Sequence, residues 1–150
     1  MSMIPPMTAG ITAKGTSVEG KVWNILGQTY EPLQVSESCF AWQGTLPPGT
    51  FVPPHIHPTQ DEFVYMLGRR FDLALDGQPA VANAGDLIRL PRGIPHGLFN
   101  KSAADVTCIF WVSPTRRLWD LFQAIDNITD PAEVVRLAGL HEVEFLPPPG

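Results

Sequence analysis

The chain has 150 residues, a length typical of one domain, and it can bury a sizeable core without disulfides. Charged residues make up only 17% of it and the formal net charge is −5, which argues against a protein that binds nucleic acid through clustered Lys and Arg. The 13 glycines and 16 prolines favour many short strands joined by tight turns over a helical bundle.

Membrane association and disulfide bonding are both unexpected. No apolar run approaches the length of about 18 residues that a membrane span needs. Cys39 and Cys108 lie far apart in apolar, strand-like stretches, so we expect buried, reduced thiols. These features predict a soluble, cytosolic protein that binds neither nucleic acid nor membranes. The low charge and the many apolar residues favour a homodimer.

Short strands separated by turn signals are predicted over most of the chain. In order, they are residues 21–26, 36–45, 51–55, 62–67, 71–75, 80–82, 87–90, 96–99 and 106–112. Asp76-Gly77 is a strong signal for a two-residue hairpin turn, because both central positions of a type I′ turn need a positive φ. Many short strands at this spacing are typical of a β-sandwich or a barrel.

The last part of the chain changes to a helical period. Apolar residues three and four positions apart predict a first helix: Leu118, Leu121, Phe122 and Ile125. Asp130-Pro131 supplies an N-cap and a first-turn proline for a second helix that ends near Gly139. We expect Trp119 and Phe122 to cover the β unit or a dimer partner, and residues 145–150 to form an extended tail.

Three of the four histidines lie in two short segments that carry the candidate chemistry. His55 and His57 are two residues apart, so on a strand both imidazoles point to the same face. Glu62 follows closely, and His96 lies beyond a predicted hairpin. Three imidazole nitrogens and one carboxylate suit a divalent transition metal and leave positions open to water or a substrate. His141 stands apart and is expected to be a surface residue.

The two segments resemble the two sequence motifs of the cupin superfamily. They are Gly49-x5-His55-x-His57-x4-Glu62 for the first motif and Gly85-x5-Pro91-x-Gly93-x2-His96-x3-Asn100 for the second, which matches at every position. There is one departure from the pattern. At the place of the glycine that usually ends the first motif the chain has Arg69, and Gly68 comes one residue early.

The resemblance implies an all-β fold, a conical jelly-roll barrel with C-terminal α-helices. The whole of residues 1–150 would form one cupin domain, with the barrel at about residues 20–113 and a helical extension at about 114–146. It also implies a divalent transition metal (Fe, Mn, Ni, Cu, Co or Zn). Its ligands would be His55, His57, Glu62 and His96.

An apolar substrate pocket is predicted beside the metal. Its members are Phe51, Val64, Met66, Leu98 and Phe110. Period-two alternation puts two of them on the face of Glu62 and Leu98 on the face of His96. Tyr65 is a further candidate for the wall. A pocket with few charges suits an aromatic or otherwise hydrophobic small molecule.

The leading functional hypothesis is a metal-dependent dioxygenase, similar to the quercetin dioxygenase-like single-domain cupins. Glu62 would then serve both as a ligand and as the general base, if the site shifts its pKa towards neutrality. Two alternatives remain open. One is a non-catalytic module in which the metal anchors a small molecule, and the other is a metal-dependent isomerase or lyase.

Overall fold

Two antiparallel β-sheets make up most of the computed structural model, which describes residues 4–147. The six-stranded sheet has the spatial order β1 (Trp23–Ile25), β2 (Gln28–Val35), β3 (Phe40–Leu46), β10 (Val106–Ser113), β5 (Asp61–Met66) and β8 (Leu87–Leu90). The five-stranded sheet has the order β11 (Glu144–Phe145), β4 (Phe51–Ile56), β9 (His96–Phe99), β6 (Arg70–Leu75) and β7 (Gln78–Asn83). Two helices, α1 (Leu118–Ile125) and α2 (Pro131–Gly139), follow β10, and a single 3₁₀ turn (Val18–Gly20) precedes β1. The predicted all-β class with C-terminal helices is confirmed.

Alternating burial fixes the centre of the six-stranded sheet. β10 pairs with β3 on one side and β5 on the other, and every second side chain of β10 is buried. β3 shows the same alternation. Because a slip of one residue would turn the apolar set of a strand towards solvent, this pattern fixes the register of the three strands.

The predicted second strand is wrong in its position. Residues 28–35 form β2, which the sequence did not predict, and residues 36–39 form a turn in which the Ser36 amide donates to the Cys39 carbonyl at 2.9 Å. The pattern was obscured by Pro32, which lies inside β2 beside a register shift against β3. A proline is tolerated at such an irregularity, although it argues against a strand in the sequence.

The first C-terminal helix, α1, packs on the six-stranded sheet, and α2 packs on α1 and β11. The indole ring of Trp119 packs edge-on against Trp23 at a centroid distance of 5.0 Å, and Phe122 lies 5.0 Å from Trp42. The predicted cap of α2 is present, because the Asp130 side chain accepts a hydrogen bond from the Ala132 amide at 3.0 Å. Trp119 and Phe122 therefore pack on the β unit, which is one of the two roles expected from the sequence.

The predicted tail is partly wrong. Glu144–Phe145 forms the short strand β11 at the edge of the five-stranded sheet, where Phe145 pairs with His55 of β4. Residues 146 and 147 have no regular secondary structure, and residues 148–150 of that prediction lie outside the described residues. No helix formed by residues 4–147 is long and apolar enough to cross a membrane.

Among the turns with a left-handed backbone, two bear on the sequence predictions. At the predicted hairpin between β6 and β7, Asp76 has φ 50° and Gly77 has φ 78°, which confirms the hairpin turn. Before β6, Arg69 has φ 67°. The turn at the end of the first motif therefore keeps the conformation that favours glycine, although an arginine occupies it.

Candidate metal centre

The structure brings together the four residues that the sequence singled out as metal ligands. His55 lies on β4, His57 directly follows it, Glu62 lies on β5, and His96 begins β9. One ligand atom from each of the four lies within 4.8 Å of those of the other three. None of these residues is more than 5% exposed. His55 and His96 come together because they are paired residues of neighbouring strands.

Each histidine has its Nδ1 nitrogen committed to an oxygen acceptor. His55 donates to the carbonyl of Pro53 at 2.8 Å, and His96 donates to the carbonyl of Ile94 at 3.2 Å. His57 donates to Oε1 of Gln60 at 2.8 Å. Such bonds orient an imidazole and leave its Nε2 nitrogen available to a metal.

The side chain of Gln60 is itself fixed by hydrogen bonds to two backbone carbonyls. Its amide nitrogen donates to the carbonyls of Pro114 at 3.0 Å and Thr115 at 2.7 Å, and the side chain is 2% exposed. Since both bonds require the NH₂ group on that side, the oxygen of Gln60 must face His57. The segment between β10 and α1 thereby fixes the orientation of one ligand.

The arrangement of donor atoms fits a divalent metal ion. Nε2 of His55 and Nε2 of His57 lie 3.2 Å apart. With both protons on Nδ1, these two nitrogens present lone pairs to each other, and neither can donate. Nε2 of His96 lies 2.8 Å from the Glu62 carboxylate, and Nε2 of His57 lies 3.5 Å from it. Three imidazoles and one carboxylate in this buried position suit a first-row transition metal with open coordination positions.

The electrostatics of the cluster favour a neutral His55 imidazole and an ionised Glu62 carboxylate. Burial, together with the neighbouring His96 and His57, lowers the pKa of His55 to about 3. Burial raises the pKa of Glu62, but His57, His96 and His55 outweigh this effect and lower the pKa to about 2. Burial lowers the pKa of His96, whereas its hydrogen bond to Glu62 raises it and prevails. Glu62 is thus ionised, and the shift of its pKa is opposite to the one that the general-base hypothesis requires.

A cavity of about 90 Å³ borders the cluster, with His55, His57 and Glu62 in its wall. This volume corresponds to about three water molecules. Most of the remaining wall is apolar and comes from both sheets, from α1 and α2, and from β11. Leu26 and Phe51 are exposed wall residues and mark a mouth. The C-terminal helices therefore help to enclose the candidate site.

The predicted pocket residues divide into two groups. Phe51, Leu98 and Phe110 line the cavity. Val64 and Met66 lie on the buried face of β5, as their alternation with Glu62 predicts, but they pack into the core and are not part of the cavity wall. Tyr65 is wrong as a wall candidate, because it lies on the opposite face of β5 and is 42% exposed.

The wall residues that the sequence did not predict include three with polar side-chain atoms: Gln28, Tyr30 and Trp42. The hydroxyl of Tyr30 donates to Oε1 of Gln28 at 2.6 Å, and the amide of Gln28 donates to the carbonyl of Phe51 at 2.9 Å. Gln28 and Tyr30 belong to the unpredicted strand β2, so their role could not be anticipated. Gln60 was missed as well, and nothing in its sequence position distinguishes it.

Comparison with known proteins agrees with the fold and the cluster. Residues 42–112, which contain all four candidate ligands, match the family model described as the cupin domain. This match and the jelly-roll fold with its buried cluster support assignment of the chain to the cupin superfamily.

Two curated relatives come from Streptomyces. The chain is 30% identical over 91 residues to protein SchB of Streptomyces halstedii, a match that covers 59% of this chain and 66% of that protein. It is 30% identical over 67 residues to polyketide synthase CurC of Streptomyces cyaneus, covering 45% of this chain and 44% of that protein. The chain thus spans less than two thirds of the length of either relative.

Solved structures of low sequence identity share the fold. KdgF from Halomonas sp. superposes with a TM-score of 0.67 at 20% identity, covering 75% of this chain and 99% of that one. An RmlC-like cupin from Shewanella frigidimarina gives 0.61 at 21% identity, with 71% and 96% covered. Streptomyces PAC13 with uridine gives 0.58 at 19% identity, with 72% and 84% covered. At these identities the likeness concerns the fold.

Proposed function

We propose that this chain is a metal-dependent cupin enzyme that acts on a small hydrophobic or aromatic molecule, and that its reaction is a dioxygenation. The observation that carries the proposal is the convergence of three Nε2 atoms on one carboxylate, next to an apolar cavity. In each ring the other nitrogen already donates to an oxygen, so these groups are arranged for a cation. When bound, the metal would supply Lewis-acid and redox chemistry.

The residues of this chain would have separate tasks in that reaction. His55, His57, His96 and Glu62 would hold the ion, and Glu62 would stay ionised while it does so. The apolar side chains would desolvate the substrate and exclude bulk water. The low pKa of Glu62 makes it a poor proton acceptor, so we assign it the role of ligand and expect the substrate to lose its proton by another route.

The size of the cavity limits the substrate. Pockets for drug-sized molecules measure about 300–1,000 Å³, well above the volume of the cavity beside the cluster. A single ring or a short chain is therefore favoured over a three-ring flavonol, unless the mouth at Leu26 and Phe51 opens. The name of CurC, a polyketide synthase, supports an enolisable, polyketide-type molecule as the class to test.

Oxygen consumption tests the proposal. Protein loaded separately with Fe(II), Mn(II), Ni(II) or Cu(II) should consume dioxygen with catechol or a substituted catechol, and both oxygen atoms should enter the product. Loss of substrate under anaerobic conditions would instead identify an isomerase or lyase. Tight binding without any product would identify a binding module.

The variant Glu62→Gln tests the role of Glu62 as a metal ligand. It keeps the shape of the side chain and removes its charge, so it should fold normally, bind metal more weakly and turn over more slowly. Full activity of this variant at full metal occupancy would contradict the assigned role of Glu62.

A further inference from the structure

A second depression adjoins the mouth of the cavity. Three parts of the fold form its walls: the turn between β1 and β2, the beginning of β4 with the turn before it, and the loop between α1 and α2. We call it the outer groove, and its wall residues come from segments 24–27, 49–53 and 127–131. Its volume is about 600 Å³, against about 90 Å³ for the cavity beside the cluster.

The cavity and the outer groove share part of their walls. Leu26, Phe51 and Pro53 line both of them. Because Leu26 and Phe51 mark the mouth of the cavity, a molecule that leaves the cavity through this mouth enters the groove. The two spaces therefore form one continuous path that begins at the metal ligands.

Hydrogen bonds fix the walls of the outer groove to each other. The amide of Asn127 donates to the carbonyl of Asn24 at 2.9 Å, and the amide of Asn24 donates to the Asp126 carboxylate at 2.8 Å. These bonds tie the loop after α1 to β1. The groove is thus built into the fold, as is usual for sites that bind small molecules.

The surface of the outer groove is uncharged and largely apolar. Phe51 is 52% exposed and Leu26 is 37% exposed, and Ile128 contributes a further aliphatic side chain. Every residue of the described chain that lines the groove is uncharged. Exposed apolar side chains grouped beside a cavity are typical of a ligand-binding groove.

The cavity alone is too small for most substrates. A cavity of about 150 Å³ binds benzene, so even a single ring fills the space beside the cluster completely. Any further part of a molecule that reaches the metal ligands must pass between Leu26 and Phe51. Beyond these two side chains, the outer groove provides apolar surface to cover it.

We propose that the outer groove is a second part of the substrate-binding site, which holds an uncharged, mainly apolar extension of the substrate while the oxygen-bearing end faces the metal ligands. The inference rests on the proposed function, since both concern the same substrate. It narrows the substrate class to elongated molecules that combine a small oxygenated head with an uncharged apolar tail.

A pair of alkylated catechols tests this proposal. 4-Methylcatechol and 4-hexylcatechol carry the same head and differ only in the length of the tail. A CH₂ group that leaves water completely gains about fourfold in affinity, and one that is half covered in an open groove gains about twofold. Protein loaded with Zn(II), which does not oxidise a catechol, should therefore bind 4-hexylcatechol about 30-fold more tightly in isothermal titration.

Substitutions at Thr129 locate the tail. Thr129 is an exposed residue of the groove and directly precedes the N-cap of α2, where a carboxylate is compatible with the fold. Thr129→Glu should lower the ratio of the two affinities below about fivefold, because the tail would have to desolvate the new charge. Thr129→Gln has the same length without the charge and should keep most of the ratio.

Val135→Glu is the matched control. It introduces the same charge at an exposed position of α2 that lines neither the cavity nor the groove, so the full ratio should remain. Because the ratio compares two ligands in one variant, a change in the affinity for the catechol head cancels.

A methyl resonance provides a second readout. In methyl-labelled protein, 4-hexylcatechol should move the δ1 methyl resonance of Ile128, which lines the groove and not the cavity, whereas 4-methylcatechol should leave it in place. The resonance is identified by its loss in Ile128→Val.

The outcomes distinguish this inference from the proposed function. Equal binding of the two catechols, a ratio that Thr129→Glu leaves unchanged, or an Ile128 resonance that 4-hexylcatechol does not move would overturn the inference and leave metal binding untouched. A protein that takes up no metal, but in which 4-hexylcatechol still moves the Ile128 resonance and Thr129→Glu abolishes this effect, would overturn the proposed function and support the inference.

Discussion

Nε2 of His55 and Nε2 of His57 lie 3.2 Å apart, while Nδ1 of each ring donates to an oxygen of the protein. Two neutral imidazoles in this tautomer repel each other through their lone pairs. A proton or a metal ion between them removes the repulsion, and the low pKa of His55 shows that a proton is poorly held there. The geometry is therefore more favourable with a metal than without one.

The first prediction concerns Gln60 as a positioning residue for His57. Gln60→Leu removes the acceptor for His57 Nδ1–H, so metal affinity should fall by about 10–100-fold, as is typical when such an outer partner is lost. Gln60→Glu keeps an acceptor oxygen and should retain the affinity. That variant loses the bonds to the carbonyls of Pro114 and Thr115, so its thermal midpoint should fall. Isothermal titration with Zn(II) measures the effect of Gln60 on metal affinity, and a melting curve measures its effect on stability. An unchanged Zn(II) affinity in Gln60→Leu would refute the role of Gln60 as a positioning residue for His57.

The second prediction concerns Arg69. A non-glycine residue in the left-handed region costs about 1–2 kcal/mol, and Arg69→Gly removes this cost. Glycine also makes the unfolded chain more flexible, which offsets part of the gain. We therefore expect Arg69→Gly to stabilise the protein by about 1 kcal/mol. Arg70→Gly is the matched control. Arg70 lies on β6 and pairs with Asp72 at 3.1 Å, so its replacement should destabilise. Urea unfolding measures both, and a less stable Arg69→Gly would show that the arginine contributes contacts that outweigh its backbone strain.

The third prediction concerns the pH dependence of the metal-free protein. The pKa of His55 falls from 6.5 to about 3 on folding, so the unfolded chain takes up its proton first. The stability that His55 contributes is complete above about pH 6.5 and is lost as the pH falls towards 3, with about 2 kcal/mol lost at pH 5. His96 acts in the opposite sense, because its pKa is raised on folding.

The measurement is the difference between wild type and His55→Asn, each treated with a chelator and unfolded by urea at several pH values. Because the variant has no group that titrates at this position, its stability should depend less on pH between 7 and 5. Parallel curves for the two proteins would show that His55 is not held neutral in the folded state.

The sequence sufficed for those parts of the fold whose signal is local. Short strand-like runs between turn signals predicted β8 and β9 with correct bounds. Asp76-Gly77 and Asp130-Pro131 marked a turn and a helix start, because each depends on backbone conformations that its own side chains favour. β2 was missed since Pro32 masks it. The partners of the site were missed for another reason: Gln60 and Trp42 acquire their roles through contacts with residues far away in the chain.

The most direct test of the account is metal content by elemental analysis after loading and dialysis. Wild type should hold about one divalent ion per chain. His96→Ala, which removes one ligand, should lose most of it. His141→Ala is the control, because His141 lies outside the cluster and donates to the Leu137 carbonyl at 2.8 Å. It should bind like wild type. A wild-type protein without metal, or a His96→Ala variant that still holds about one divalent ion per chain, would contradict the proposed metal centre.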